Sequence, residues 1–170
     1  MAREPFSSTG IDAGHRSLDR RDDIDEALGQ EIGMASIHTE VVINSRPEQV
    51  WAAIRDVGAV HVRLLPDRVV DTRLEGHVRI LVLPDGRIIR ELIVDVDDTA
   101  RRLAYAVIEG ARPPITHHHA SFQVFPEGSD RSRLVWITDL LPDALATDTR
   151  ARVERGAQDM KRTLEDAAIV

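Results

Sequence analysis

Ile89-Arg90-Glu91-Leu92-Ile93-Val94-Asp95-Val96-Asp97-Asp98, followed by Arg102-Leu103-Ala104-Tyr105-Ala106-Val107 and by Thr116 to Phe125, decides how this chain is read. Taken as strands, with side chains alternating between two faces, the three runs place a carboxylate, a phenol and an imidazole beside aliphatic residues. Polar groups on an apolar wall indicate a ligand pocket. In the second run Leu103, Tyr105 and Val107 share one face. In the third, the apolar set Ala120, Phe122 and Val124 fixes the inner face, which turns Thr116 and His118 inward and His117, His119, Ser121 and Gln123 outward. In the first, alternation alone does not choose: Ile89, Glu91 and Ile93 share one face, while Ile88, Leu92, Val94 and Val96 are apolar on the other.

Around these runs the pattern predicts a strand at 36–43, helices at 47–56 and 58–65, and strands at 67–74, 77–83, 87–96, 101–109, 115–125 and 132–140. A helix follows from 143 to about 167. Ser45 is positioned to cap the first helix, Pro47 suits its first turn, and Glu48 complements the positive end of its dipole. Leu83-Pro84-Asp85-Gly86-Arg87 and Pro126-Glu127-Gly128-Ser129-Asp130 read as hairpin turns. The last helix carries Leu145, Thr149, Val153, Gly156, Ala157, Met160 and Leu164 on one stripe, so it is expected to lie on a sheet.

The chain has 170 residues and 42% hydrophobic composition, enough for one core and too little for two. Residues 1–33 hold eight acids, four bases and few large apolar groups, and are expected to form a disordered extension, with 34–170 as a single domain. Within the extension, Ile24, Leu28 and Ile32 have the i, i+4, i+8 spacing of a short amphipathic helix over 22–32, which Gly29 and its short length disfavour. The net charge of −7 is interspersed instead of sorted into blocks, which gives no footprint for nucleic acid. No window approaches a membrane span of about 18 apolar residues. With no cysteine, disulfides, thiol nucleophiles and thiolate metal sites are absent, and a cytoplasmic location is expected.

The order strand, two short helices, six strands, long helix resembles the helix-grip α+β fold of the START and birch-pollen-allergen superfamily, which includes polyketide cyclase/dehydrase and lipid-transport proteins. The family's opening phrase is similar to Ile43-Asn44-Ser45-Arg46-Pro47-Glu48-Gln49-Val50-Trp51 with Ile54-Arg55-Asp56. Its middle phrase resembles Arg90-Glu91-Leu92, Asp97-Asp98 and Leu103-Ala104-Tyr105. Its late phrase resembles Ser121 to Pro126 with Ser132-Arg133-Leu134-Val135-Trp136. The resemblance implies a curved antiparallel sheet of about seven strands gripping the C-terminal helix, with a cavity between them. It also implies that Glu91 and Tyr105 face that cavity.

The expected ligand-facing set is then Glu91, Tyr105, Val107, Thr116, His118, Ala120, Phe122 and Trp136, with Val78 and Ile80 from a short strand, Val153, Ala157 and Met160 from the long helix, and His61 at the entrance. Glu91, Tyr105 and His118 could orient a polar group of a ligand, act as acid and base, or satisfy one another in a packed interior. Binding, transport or sensing of a small hydrophobic molecule is the function expected. A polyketide cyclase/dehydratase-like enzyme using the same three residues is the alternative. His117 and His119 share a strand face, but a stable metal site needs a third ligand, which His38 or His77 would have to supply, so neither metal nor cofactor is expected. A tight turn at Leu83–Gly86 in place of a long gating loop, and a single lysine, Lys161, on the last helix, argue against a hormone receptor. The only expected partner is the ligand, bound to a monomer or weak homodimer.

Overall fold

The computed structural model describes residues 33–168. β1 (Ala35–Ile43) leads to α1 (Pro47–Ile54) and α2 (Val60–Arg63), then to β2 (Asp71–Glu75), β3 (Val78–Val82), β4 (Ile88–Asp97), β5 (Arg102–Glu109), β6 (His117–Pro126) and β7 (Ser132–Leu141). A 3-10 turn, Asp143–Leu145, enters α3 (Ala146–Ala167). The strands form one antiparallel sheet in the order β1-β7-β6-β5-β4-β3-β2, so the chain's first strand closes against its last. This is the helix-grip α+β fold. The tail reading, including Ile24, Leu28 and Ile32, concerns residues outside the described span, apart from Gly33.

Hairpin chemistry sets most of the sheet. Gly86 (φ +81°) and Gly128 (φ +83°) occupy left-handed positions in the β3–β4 and β6–β7 turns, where only glycine is free of Cβ strain. The β4–β5 register shifts twice, passing over Ile108 of β5 between the Arg90 and Glu91 pairs and Val94 of β4 between the Ile93 and Asp95 pairs, and such bulges bend the paired strands and curve the sheet. Gly110 (φ +88°) ends β5 against β4, and a Cβ there would clash with the Ile88 carbonyl oxygen.

Two observations correct local expectations. The cap of α1 is Arg46, whose side chain makes no capping bond, because Pro47 begins the helix one residue later than a Ser45 cap requires; the Ser45 hydroxyl bonds Gln49 Oε1 at 3.2 Å instead. Residues 67–70 are not strand: the Arg68 and Val69 amides donate back to the Leu65 carbonyl, and pairing starts when the Val70 amide reaches Val82.

The core is divided unevenly along α3. Its C-terminal half sends Ala157, Met160 and Leu164 into a cluster with Val50, Trp51, Ile54, Val60 and Leu64 from α1, α2 and the residue after it, plus Leu103, Phe122 and Leu134 from the sheet. Each such side chain contributes roughly 1.5–3 kcal/mol by leaving water. The N-terminal half contributes Val153 to a small cluster with Ile37 and Leu140. No helix in the described span is long and apolar enough to cross a membrane.

Candidate functional site

Where α1 and α2 do not reach, a cavity of about 590 Å³ lies between the sheet and the N-terminal half of α3. Its inner wall is Leu81, Ile89, Glu91, Tyr105, Val107, His118, Trp136 and Leu140; Thr149 and Val153 face it from α3. Three loops complete the lining, namely 65–69 after α2, the β3–β4 turn around Pro84 and Asp85, and the β5–β6 segment from Ala111 to Ile115.

The cavity exists because β5 and β6 part company. Their ladder pairs Arg102 with Gln123 through Tyr105 with Ala120 and then stops. Continued, it would set Val107 opposite His118. Instead the Val107 amide donates to His118 Nδ1 at 3.1 Å, so the imidazole takes the place of the missing backbone acceptor. An accepting Nδ1 puts the proton of the neutral ring on Nε2. Burial, followed by the neighbouring His119 and His117, pulls the His118 pKa down to about 4 against a small opposing effect of Asp139. At neutral pH His118 therefore lines the cavity as an uncharged N–H donor.

The floor holds a charge pair. Glu91, 6% exposed, faces inward, and Arg79, 3% exposed, meets it from β3 at 2.7 Å. The same guanidinium lies 5.2 Å from the centre of the Tyr105 ring, in cation–π range. Tyr105 stands 5.8 Å from the His118 ring and 5.7 Å from Phe122, which in turn packs 4.6 Å from Trp136. Burial first and the Glu91 charge second push the Tyr105 pKa strongly upward, while Arg79 and the nearby Trp136 indole oppose them, so the phenol stays protonated. The buried Trp136 Nε1 has no hydrogen-bond partner of acceptable geometry among the described residues, although Trp136 lines the cavity.

Six of the expected residues thus meet around one space: Glu91, Tyr105, Val107, His118, Trp136 and Val153. The others do not line it. Ala120, Phe122, Ala157 and Met160 are buried in the packed core behind it. Thr116 is exposed just before β6, its amide bonded to the Leu141 carbonyl, and Ile115 takes the lining position. His61 is absent from the lining; its backbone amide bonds the Thr72 hydroxyl of β2, and the cavity is rimmed by Leu65 and the residues that follow α2. Val78 and Ile80 lie on the opposite face from Glu91, since the β3–β4 register pairs them with Leu92 and Arg90.

Arg79 is the residue sequence reasoning missed, and a signal for it existed. A turn centred on Asp85 places Arg79 directly across from Glu91, so an inward Glu91 forces an inward Arg79 and outward Val78 and Ile80. On the outer face, His119 pairs across from Asp139 and His117 from Leu141. Among the described residues no three His, Asp or Glu side chains converge on a metal-sized site.

The sequence model of the family described as polyketide cyclase / dehydrase and lipid transport matches residues 34–165. No curated protein matches. Among solved structures, the chain is similar to the protein XoxI from Bacillus cereus, at 26% identity and TM-score 0.67 over 79% of this chain and 96% of that one. It is also similar to norcoclaurine synthase from Thalictrum flavum in complex with dopamine and hydroxybenzaldehyde (16% identity, TM-score 0.66, 99% and 97% covered). A third likeness is to the Zhui aromatase/cyclase from Streptomyces sp. R1128 (20%, 0.64, 81% and 94%). The last two likenesses are of fold.

Two outcomes follow for the buried groups. Glu91→Gln strands the Arg79 charge and should cost about 3–5 kcal/mol in urea unfolding, whereas the paired change Arg79→Met with Glu91→Met should recover most of that loss; equal destabilisation by both would contradict the pairing. For His118, the unfolded ring binds its proton near pH 6.5 and the folded ring only near 4. Its contribution is therefore complete above about pH 6.5 and is lost as pH falls toward 4, on the order of 3 kcal/mol in all. His118→Gln should flatten that part of the stability–pH curve, and an unchanged slope would refute a buried neutral ring.

Proposed function

The chain belongs to the polyketide cyclase/dehydrase and lipid transport family, and we propose that it reversibly binds a small, mainly apolar molecule bearing a hydrogen-bond acceptor, for transport or sensing. One observation carries this reading: a mainly apolar cavity of about 590 Å³ lined by a neutral His118 ring, whose Nδ1 is occupied by the Val107 amide and whose Nε2–H has no acceptor among the described residues. That volume lies within the range of pockets for drug-sized ligands. An unpaired donor in an apolar wall favours a guest that supplies a carbonyl or hydroxyl oxygen, since leaving it unmet costs free energy.

Acid–base use of Glu91, Tyr105 and His118, as in a cyclase-like enzyme, draws less support from the same geometry. The Glu91 carboxylate is engaged by Arg79, and the Tyr105 phenol is held protonated by its surroundings. Only His118 is left to exchange protons, and among the described residues no carboxylate is hydrogen-bonded to its ring to raise its basicity. A carrier needs none of these groups to titrate.

The test uses N-phenyl-1-naphthylamine, an uncharged probe that fluoresces on entering an apolar site. It should bind one-to-one, and filling the cavity by Val107→Trp or, at the rim, Ile115→Trp should weaken binding about ten-fold or more while the thermal unfolding transition stays cooperative. Unchanged uptake by both variants would place the probe elsewhere and contradict the reading.

A further inference from the structure

Charge accounting around the cavity leaves a remainder. Of the arginines on its lining, Arg68 is paired with Asp159 and Arg87 with Asp85 at 2.6 Å. At the floor Arg79 is neutralised by Glu91. Arg112 and Arg152 have no carboxylate partner among the described residues, with only Asp67, on the 65–69 segment, to offset them on the lining. The chain as a whole carries −7, so a cationic rim runs against its overall balance.

Both line the same rim, and the side chain of one reaches the main chain of the other. Arg152, in the second turn of α3, extends one guanidinium nitrogen to the Arg112 carbonyl at 3.1 Å and another to the Thr149 hydroxyl at 3.1 Å. Both acceptors are neutral, so they fix the fork without cancelling its charge. Asp148 stands four residues earlier on the same helix, where ion pairs are commonly made, yet the side chain turns from it toward the cavity rim. A guanidinium has five N–H groups, and this arrangement leaves three free to donate to an oxyanion.

Resting on the ligand-binding reading, we propose that Arg112 and Arg152 form an oxyanion subsite at the cavity rim, and that the ligand is an amphipathic acid. Its apolar body lies against Leu81, Ile89, Val107 and Val153, and its carboxylate or phosphate meets the two arginines. The held guanidinium lowers the ordering cost of that contact, and the mouth position lets the anion keep part of its hydration.

Competition against bound N-phenyl-1-naphthylamine tests this with three ligands sharing one chain: dodecanoate, dodecyl phosphate and dodecanol, all below micelle-forming concentrations. The anions should displace the probe at about ten-fold lower concentration than the alcohol, and the better of the two identifies carboxylate or phosphate as the group recognised. In Arg112→Gln/Arg152→Gln the ratio of anion to alcohol should fall to near unity, and in the unaltered protein raising salt from about 0.05 to 0.5 M should shrink it. If the alcohol competes as well as the anions, the oxyanion subsite is wrong and the ligand-binding reading stands. If the probe is not taken up, or is taken up equally by both Val107→Trp and Ile115→Trp, the reading itself fails and the subsite with it.

Discussion

A single helix cannot cover a seven-stranded sheet, and that mismatch governs this molecule. Strands spaced about 4.8 Å apart give a sheet on the order of 30 Å wide, whereas a helix with its side chains is only about 10–12 Å across. The apolar inner face must therefore curl, be covered by something else, or stay open. All three occur. The bulges between β4 and β5 bend the sheet around α3, α1 and α2 cover one end, and the other end is left as the cavity. The division runs through the helix itself, with Met160 and Leu164 on the sealed side and Thr149 and Val153 on the open one.

Keeping an end open has local costs that particular residues offset. Once β5 and β6 separate, the Val107 amide loses its partner strand, and His118 supplies the acceptor from its own ring. That contact fixes the tautomer, and burial keeps the ring neutral, so one side chain both terminates the ladder and presents a donor to the cavity. The Arg79–Glu91 pair works similarly at the floor. Two charges in an apolar interior are costly singly and tolerable together, and their shared position beneath Tyr105 sets an edge on the space a ligand could use.

The fold was legible because its punctuation is strong: the Pro84-Asp85-Gly86 and Gly128 turns, Pro47 opening α1 and the long stripe on α3 all act locally. The inner face of β6 followed from alternation, and those of β4 and β5 from the family resemblance. β3 was misread because both its faces are apolar apart from Arg79, so counting hydrophobics pointed Val78 and Ile80 inward when hairpin register required the reverse. The retreat of Ala120, Phe122, Ala157 and Met160 into packed core was not legible, since an inward direction says nothing about whether the space beyond is filled. That depends on where α1 and α2 end their coverage, which is a tertiary fact.

The central claim is that a small molecule sits in the space in front of Tyr105. The chain has a single tyrosine, so its ring resonances need no assignment by mutation. Intermolecular nuclear Overhauser effects between bound N-phenyl-1-naphthylamine and the Tyr105 ring are the most direct measurement. Cross-peaks to the Tyr105 ring protons, absent in Val107→Trp, are the result this account predicts. Saturable binding with no contact to Tyr105, and with contacts instead to Ile88 or Val94, each 52% exposed on the outer face of β4, would contradict it.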